Sequence, residues 1–236
     1  GQQNQFKKIL PNGNNLGIKI TYAEQKNPQG LPDAFLVGEK FIGNANVALI
    51  LGDNFFYAQS LTKKLKECVK LNKGATVILH PVGNPSSYGV ASVNKKNKIT
   101  KIIEKPKKNF SNLAITGLYF FDNKVVNYSK KLKPSKRNEL EIVDLLNKYK
   151  SNNKLTAQFL GRGGAWLDTG SINDFYDTSA FVSALENRQG LKIACLEEIA
   201  LNNKWINKKN IETAIKFYGK CNYSHYLSTL TEKSFK

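Results

Sequence analysis

Short apolar runs alternate with amphipathic stretches along the first third of the chain, and this alternation constrains the fold more than any other feature. Segment 47–51 is wholly apolar, as expected of a strand inside a sheet, 75–79 is predicted to be the next buried strand, and 61–71 between them has helical periodicity. Upstream, 17–22 alternates as a strand does and 33–41 has the pattern of a helix. This order of strands and helices predicts an open α/β sheet, in which ligands bind beyond the carboxyl ends of the strands.

The middle of the chain changes character, because antiparallel strands are predicted to join the sheet. Segments 88–93 and 98–103 flank an Asn-Lys-Lys-Asn turn as a hairpin, and another strand is predicted over 114–121. Beyond it the pattern predicts a strand at 155–160 and helices at 123–132, 139–149, 171–186, 197–202, 209–218 and 225–230. We therefore predict an α/β fold, a Rossmann-like open mixed sheet flanked by helices, over residues 1–190, with a small helical C-terminal appendage over 191–236.

The formal charge of +18, from 36 Lys and Arg against 18 Asp and Glu, raises the question of nucleic-acid binding. Only Arg137, Arg162 and Arg188 are arginine, and the lysines are scattered along the chain. Proteins that clamp phosphates or read bases rely on arginine forks and on basic stripes interleaved with aromatic residues. We therefore expect a solvated lysine surface and no nucleic-acid partner.

Two further classes of protein are excluded by what the sequence lacks. Its longest apolar runs are far shorter than the roughly 20 residues that a helix needs to cross a bilayer, so we expect no membrane span. Cys68, Cys195 and Cys221 are too few and too scattered for a disulfide framework or a Cys-x-x-Cys metal site. We expect a protein of a reducing compartment.

Two aspartates lie where a ligand crevice is expected. Asp53 comes directly after the apolar run 47–51, and Asp168 lies in the Gly-rich segment 161–170 before a helix. Carboxylates at such positions can hold Mg²⁺ against phosphates, and two on one ion would neutralise a phosphoryl group under attack. Both positions also suit structural roles, a turn for Asp53 and a helix cap for Asp168 or Ser171.

Two loops carry polar side chains with alternative interpretations. In Glu104-Lys105-Pro106, the lysine can neutralise a phosphate and the glutamate can accept hydrogen bonds from sugar hydroxyls, or both belong to a solvated surface. Gln25 precedes Gly30, where a side-chain amide and a close backbone approach can read a pyrimidine edge, or can simply form a turn.

Taken together and in order, these segments resemble one family, the glucose-1-phosphate thymidylyltransferases of the sugar nucleotidyltransferase superfamily. The resemblance runs from about Phe6 to Leu230 with few gaps. It rests on these motifs: Gln25-x-x-Pro-x-Gly-Leu31, Gly38-Glu-x-Phe-Ile-Gly43, Leu51-Gly-Asp-Asn54, Tyr88-Gly-Val90, Glu104-Lys-Pro106, Thr116-Gly-Leu-Tyr-Phe120, Leu132-Lys-Pro-Ser135, Glu139-Leu-Glu-Ile142, Gly161-Arg-Gly163, Ala165-Trp-Leu-Asp-Thr-Gly170 and Glu186-Asn-Arg-Gln-Gly-Leu-Lys192. Each motif is modest alone, but their order over most of the chain is specific.

The resemblance implies a fold of the nucleotide-diphospho-sugar transferase type and a Mg²⁺-dependent reaction that joins glucose 1-phosphate to dTTP, giving dTDP-glucose and pyrophosphate. A phosphate oxygen of the sugar phosphate attacks the α-phosphorus in line, so positioning and charge neutralisation supply the rate. It also implies that Asp53, Lys105 and Asp168 are catalytic: the two aspartates hold Mg²⁺, while Lys105 and Arg137 grip the sugar phosphate. The product would enter an activated deoxysugar pathway such as dTDP-rhamnose biosynthesis.

The resemblance further assigns binding residues. Gln25 and Gly30 would read thymine. Contacts to the sugar phosphate would come from Asn54, Tyr88, Gly89, Glu104, Lys105, Ile115, Tyr119, Arg137 and Trp166. A second, regulatory site for a dTDP-sugar would involve Tyr57, Arg162, Glu198 and Ile199. The helical appendage would support a homotetramer, and the protein would be cytoplasmic.

The chain departs from the family pattern in three places. The Gly-rich G-x-G-T-R loop that wraps the triphosphate is absent from the 236 residues, so we expect this stretch alone to be inactive. Pro32-Asp33 stands where the family prefers Ala-Gln, and Gly164 stands where an aromatic residue is usual.

Three other functions stay open at this stage. The same fold could use UTP or ATP, since uracil and thymine differ by one methyl group, and kcat/KM values would separate these substrates. A non-catalytic remnant could bind a nucleotide sugar without turnover. A basic nucleic-acid-binding module predicts affinity that falls steeply with salt, and the ordered motifs make it the weakest of the three.

Overall fold

The computed structural model describes residues 2–70 and 73–232, and within them the chain forms ten α-helices and eight strands, with short 3-10 turns at Asn14–Leu16 and Pro85–Ser87. The helices are α1 Gln3–Ile9, α2 Asp33–Val37, α3 Glu39–Ile42, α4 Leu61–Lys70, α5 Val125–Ser129, α6 Ile142–Ser151, α7 Ile172–Gln189, α8 Leu196–Asn202, α9 Lys208–Tyr218 and α10 Asn222–Glu232. The strands are β1 Val47–Ile50, β2 Asn54–Tyr57, β3 Ala75–Pro81, β4 Gly89–Val93, β5 Ile99–Glu104, β6 Leu113–Phe121, β7 Leu155–Phe159 and β8 Ala165–Asp168.

The chain divides into two compact units. Residues 25–175 form the sheet unit, which contains every strand of the described chain, and residues 1–24 with 176–236 form the helical unit. Helix α7 begins in the first and continues into the second. The boundary expected at residue 190 stays a prediction.

One mixed sheet of six strands organises the sheet unit. The order of five of its strands is β5-β4-β6-β3-β7. The sixth strand, β1, pairs with the last residues of β6, whereas β4 pairs with the first residues of β6. Both β1 and β3 run antiparallel to β6 and flank it, whereas β3 and β7 are parallel. The predicted open mixed α/β sheet is confirmed, with β6 inserted between β1 and β3. Strands β2 and β8 form a separate antiparallel pair.

Side chains of the central strands alternate between two helical layers because successive residues of a strand point to opposite faces. Val77 and Tyr119 pack in one cluster with Tyr149 of α6, whereas Ile78 packs on the other face with Cys68 of α4. All five side chains are nearly fully buried, and burial of an aliphatic side chain such as that of Val77 or Ile78 contributes roughly 1.5–3 kcal/mol. Burial on both faces explains why the segment 75–79 is apolar at every position except Thr76.

The predicted strand over 17–22 is wrong, because this segment pairs with the turn just before it. The backbone amide of Ile18 donates to the Gly13 carbonyl at 3.1 Å, and that of Ile20 donates to the Asn12 carbonyl at 2.8 Å. Gly13 has φ of +80°, which glycine adopts without strain and which lets the chain reverse. The alternating pattern is therefore satisfied locally and contributes no strand to a sheet.

The predicted strand at 47–51 is present as β1, but its expected interior position is wrong. Ala48 is exposed and Ile50 is 57% exposed, because β6 is the one strand that neighbours β1 in the described chain. The predicted helix over 33–41 is divided into α2 and α3 at Gly38. The remaining predicted elements of the sheet unit are confirmed within a few residues, and the last residue of predicted helix 61–71 lies outside the described residues. Strands β2 and β8 were not predicted.

The helical unit has its own core, in which Cys195, Ile211 and Leu227 from the region of α8, α9 and α10 are buried together. The three predicted C-terminal helices are confirmed. Helix α1 carries no apolar periodicity that the sequence would reveal, and none of its residues is buried. Within the described ranges, every helix is too short or too polar to cross a bilayer.

Candidate active site

The small antiparallel sheet brings together Asp53 and Asp168, the two aspartates predicted to hold a metal ion. After β1 the chain turns at Asp53 and enters β2 at Asn54, which is paired with Asp168 at the end of β8. The backbone amide and the hydroxyl of Thr169 each donate to the Asp53 carbonyl oxygen at 2.8 Å. These contacts hold the backbone of both aspartates at one end of the β2–β8 pair.

The electrostatics around the two carboxylates suit a cation. Burial raises the pKa of Asp168, a hydrogen bond from the Gly170 amide at 3.0 Å opposes that shift, and the negative charges of Asp53 and Asp174 raise it further. A divalent cation would relieve this repulsion. Within the described residues no group of three or more His, Cys, Asp or Glu side chains is placed to hold a metal ion. An ion on these two carboxylates would therefore need oxygen ligands from phosphates or water, as Mg²⁺ usually does.

Asn54 makes three hydrogen bonds that connect Asp53 and the β2–β8 pair to the six-stranded sheet. Its Oδ1 accepts from the Gly117 amide at 3.0 Å and from Trp166 Nε1 at 2.6 Å. Its Nδ2 donates to Asp53 Oδ1 at 2.8 Å. A Cβ at position 117 would lie 2.4 Å from Asn54 Oδ1, so only glycine allows this close approach. Asn54, predicted to contact sugar, thus also ties Asp53, one of the two candidate metal ligands, to β6 and β8.

A cavity of about 140 Å³ opens beside Asn54. Eight of the predicted site residues line it: Asn54, Tyr88, Gly89, Glu104, Ile115, Tyr119, Trp166 and Asp168. Six others complete the lining, and no role was predicted for them: Leu31, Leu51, Ser87, Gly117, Ile142 and Val143. Of these six, Leu31, Leu51, Gly117 and Ile142 belong to the ordered motifs, so the sequence contained a signal for these four but not for Ser87 and Val143.

Aromatic rings and the carboxylates of Glu104 and Asp168 give the cavity its chemical character. The rings of Tyr88 and Trp166 lie 5.0 Å apart and are tilted by 60°. Burial raises the pKa of Glu104, while the positive charge of Lys105 opposes the shift. A Cβ on Gly89 would lie 3.1 Å from Glu104 Oε2, so the glycine makes room for the carboxylate. A few polar groups in an otherwise apolar cavity are typical of sites that orient a small ligand.

Lys105 and Arg137, predicted to grip a phosphate, do not line the cavity. Lys105 follows β5 with a φ of +42°, which is uncommon for a residue other than glycine, and its amide donates to the Tyr88 carbonyl at 3.0 Å. Arg137 donates to Glu141 through Nε at 3.2 Å and through Nη2 at 2.7 Å. This side-on pair leaves the Nη1 hydrogens and one Nη2 hydrogen for an anion.

Glu141, for which no role was predicted, binds Arg137 and lies near the charge of Lys105. Its carboxylate accepts a third hydrogen bond from Ser135 Oγ at 2.6 Å. Burial alone would raise the pKa of Glu141, but hydrogen bonds from Arg137 and Ser135, together with the charges of Arg137 and Lys105, outweigh it and lower the pKa. Glu141 is therefore ionised and holds Arg137 in one orientation. Its place in the Glu139-Leu-Glu-Ile142 motif was the signal available in the sequence.

Gln25 and Gly30, predicted to read a base, lie in the loop before α2. Gln25 Nε2 donates to Asp33 Oδ2 at 2.8 Å and to the Gly30 carbonyl at 3.3 Å. Gly30 has φ of +93°, and a Cβ there would lie 2.1 Å from the Leu140 carbonyl oxygen. The Leu140 amide in turn donates to the Gln29 carbonyl at 2.8 Å. The glycine is thus needed to join this loop to the segment that carries Arg137 and Glu141.

The predicted regulatory residues are distributed between the two compact units. Tyr57 is the last residue of β2, and Arg162 is exposed in the turn between β7 and β8, both in the sheet unit. Glu198 and Ile199 belong to α8 of the helical unit, where Glu198 Oε2 accepts a hydrogen bond from the Tyr226 hydroxyl at 2.7 Å. The regulatory site stays a prediction.

Comparison with known proteins gives a consistent result. Residues 1–184 match the family model of the nucleotidyl transferases. A glucose-1-phosphate thymidylyltransferase of Neisseria meningitidis serogroup A is 46% identical over 228 residues, which cover 97% of this chain and 79% of the relative. A protein of the same name from Xanthomonas campestris is 40% identical over 232 residues, which cover 98% of this chain and 79% of the relative.

Solved structures agree with the sequence matches. A Bacillus anthracis protein described as a glucose-1-phosphate thymidylyltransferase, in complex with sucrose, is 36% identical with a TM-score of 0.69 over 75% of this chain and 71% of its own. A UDP-glucose pyrophosphorylase complexed with UDP-glucose is 27% identical with a TM-score of 0.62 over 70% of this chain and 66% of its own. The family resemblance seen in the ordered motifs is confirmed by both kinds of comparison.

Proposed function

Since this chain belongs to the nucleotidyl transferase family, and within it to the glucose-1-phosphate thymidylyltransferases, we propose that it joins glucose 1-phosphate to dTTP to give dTDP-glucose and pyrophosphate. The observation that supports the proposal most strongly is the cavity beside Asp53 and Asp168. Residues that are far apart in the chain and were assigned to sugar binding from the resemblance line one cavity, and one of the paired aspartates lines it with them.

In the proposed reaction a phosphate oxygen of glucose 1-phosphate attacks the α-phosphorus of dTTP. The bond from that phosphorus to the bridging oxygen breaks, and pyrophosphate leaves with the electron pair. No proton has to be transferred, so the protein acts by placing the two phosphates in line and by balancing their charge.

Different residues of this chain bind the sugar and its phosphate. Glu104 accepts hydrogen bonds from glucose hydroxyls, and the Tyr88 and Trp166 rings pack beside the sugar. Lys105 and Arg137 bind its phosphate, Arg137 with the edge that Glu141 leaves free. These contacts hold the attacking oxygen at a fixed position, which lowers the entropic cost of the reaction.

Asp53 and Asp168 would hold Mg²⁺, which when bound neutralises the charge of the reacting phosphates. Gln25 and Gly30 would contact the thymine base. The proposal extends to the finer properties that the resemblance implies: a dTDP-rhamnose pathway, a dTDP-sugar as regulator at Tyr57, Arg162, Glu198 and Ile199, a homotetramer, and a cytoplasmic location. The three free cysteines support a reducing compartment.

The test is product formation by the full-length protein with glucose 1-phosphate, Mg²⁺ and each of dTTP, UTP and ATP. We expect dTDP-glucose and pyrophosphate in equal amounts, with kcat/KM highest for dTTP. A higher kcat/KM for UTP or ATP would mean that the protein catalyses the proposed type of reaction but uses that nucleotide instead of dTTP. Binding of dTDP-glucose with no product from any nucleotide would contradict the transferase activity and favour a binding protein.

A further inference from the structure

Asp33 is a buried carboxylate next to the loop that we assign to the base, and the reaction described above gives it no role. It is 8% exposed, and no lysine, arginine or histidine of the described chain forms an ion pair with it. Burying a carboxylate without a cation is costly unless hydrogen bonds compensate. The side-chain partner of Asp33 is the exposed Gln25, whose Nε2 lies 2.8 Å from Asp33 Oδ2.

This contact removes the usual ambiguity in the orientation of a glutamine side chain. An ionised carboxylate can only accept hydrogen bonds, so the amide nitrogen of Gln25, and not its oxygen, has to face Asp33. The second hydrogen on that nitrogen points to the Gly30 carbonyl at 3.3 Å. Both donors of Gln25 are therefore used within the protein, and the side chain offers a ligand only its acceptor oxygen Oε1.

We propose that Asp33 is a specificity-determining positioning residue, which locks the amide of Gln25 so that the site accepts pyrimidines with a hydrogen on N3 and rejects cytosine. The inference rests on the proposed function, in which Gln25 contacts the base. Thymine and uracil carry an N3–H donor that matches Oε1, whereas N3 of cytosine is an acceptor and would face another acceptor. A site whose polar groups are left unpaired rejects the wrong ligand strongly.

The mechanism requires the charge of Asp33 and not its size. The substitution Asp33→Asn keeps the volume, but the introduced amide can donate or accept, so the Gln25 amide would be free to turn over and present its nitrogen to a base. Combining it with Gln25→Glu exchanges the two groups and restores a fixed arrangement. The introduced amide would then donate to the introduced carboxylate, whose remaining oxygen is again an acceptor. The exchange keeps the net charge and loses only the longer contact with Gly30.

The experiment compares the affinities of dTDP and dCDP for three forms of the full-length protein by calorimetry: the unmodified protein, Asp33→Asn, and the double variant Gln25→Glu with Asp33→Asn. We expect the unmodified protein to prefer dTDP, the single variant to lose about five- to tenfold of that preference, and the double variant to regain it. The affinity for glucose 1-phosphate should be the same in all three, which shows that the fold and the sugar side are intact.

A second measurement needs no variant. 3-Methylthymidine 5′-diphosphate, which lacks the N3 hydrogen, should bind the unmodified protein as weakly as dCDP does. The inference is overturned if Asp33→Asn keeps the full preference, if the double variant does not regain it, or if N3-methylation has no effect. If the unmodified protein binds glucose 1-phosphate but neither dTDP nor dTDP-glucose, the proposed function itself is wrong and the inference falls with it, a result distinct from the preceding ones.

Discussion

The part of the candidate site that we propose binds the sugar (the sugar side) and the part that we propose binds the nucleotide (the nucleotide side) are built in different ways. On the sugar side, Ile115, Tyr119 and Trp166 are all less than 9% exposed and lie on strands of the two sheets. On the nucleotide side, Gln25 and Asp53 are exposed and belong to loops. Regular strands packed on both faces hold the first group in place, whereas short hydrogen-bonded loops hold the second.

This difference indicates how the two substrates are handled. A cavity with packed walls can receive a sugar phosphate without rearrangement, because its polar groups already have fixed positions. On the nucleotide side, the exposed Asp53 and the half-buried Asp168 lie close enough for their charges to repel, so we expect a cation and phosphate oxygens to complete it. The comparison predicts that changes on the nucleotide side mainly lower turnover, while changes on the sugar side mainly lower affinity for the sugar.

The largest expected effect concerns residues 1–236 on their own. Because no G-x-G-T-R loop is present among them to neutralise the triphosphate, we expect these residues to bind dTDP-glucose through the sugar side but to form no product. Pyrophosphate release is the measurement, with the same chain fused behind a G-x-G-T-R segment as the positive control. Release of pyrophosphate from a 236-residue chain of verified mass would contradict the expected division between the two sides.

The next largest effect is expected from Asp168→Asn in the full-length protein. Loss of this carboxylate removes one of the two candidate ligands for Mg²⁺, and we expect kcat to fall by about 10²–10³-fold with little change in the affinity for glucose 1-phosphate. Asp144→Asn on the exposed face of α6 is the matched control. A decrease in kcat of less than tenfold, with unchanged dependence on Mg²⁺ concentration, would contradict the assigned role.

On the sugar side, Gly117→Ala should disrupt the link between β6 and Asn54. The new Cβ would lie 2.4 Å from Asn54 Oδ1, so we expect a loss of about 1–3 kcal/mol in the free energy of unfolding and at least tenfold weaker binding of glucose 1-phosphate. Gly163→Ala is the control, since no atom lies within 4 Å of its Cβ position. Equal effects of the two substitutions, by calorimetry and denaturant unfolding, would contradict the proposed link.

A smaller effect is expected from Glu141→Gln, which tests the boundary between the two sides. The neutral amide no longer holds Arg137 by charge-assisted hydrogen bonds, so we expect KM for glucose 1-phosphate to rise about three- to tenfold while KM for dTTP stays constant. Glu139→Gln is the control, because its carboxylate is 3.9 Å from Arg137. A lower KM for glucose 1-phosphate would mean that Glu141 competes with the phosphate instead of orienting its partner.

The same contrast explains how much could be predicted from the sequence. Burial on two faces leaves a clear apolar pattern, which predicted β3 and β6 correctly, and the ordered motifs identified most residues of the cavity. Strand β8 was not predicted because its four residues include a Trp and an Asp that suit a loop equally well. Strand β1 was placed too deep, since an apolar run does not reveal whether a neighbouring strand covers it.

Contacts between loops were the part that could not be predicted. Asp and Glu are residue types that usually lie on the surface, so the sequence does not single out Asp33 or Glu141. Their roles depend on partners brought close by turns at Gly30 and Ser135. The segment 17–22 shows the opposite error, because a pattern of period two is satisfied as well by a local reversal at Gly13 as by a sheet. In each case the deciding hydrogen bonds are made by groups that the pattern of hydrophobic residues does not describe.

The assignment of the cavity to glucose can be tested by calorimetry, by comparing the affinities of dTDP-glucose and dTDP for the full-length protein and its Gly89→Ala variant. A Cβ at position 89 would lie 3.1 Å from Glu104 Oε2 and 3.3 Å from Val143 Cγ2, inside the cavity assigned to glucose. We predict that dTDP-glucose binds more tightly than dTDP to the unmodified protein, and that the variant loses this difference while its affinity for dTDP is unchanged. An undiminished difference in the variant would contradict the assignment of the cavity to the sugar.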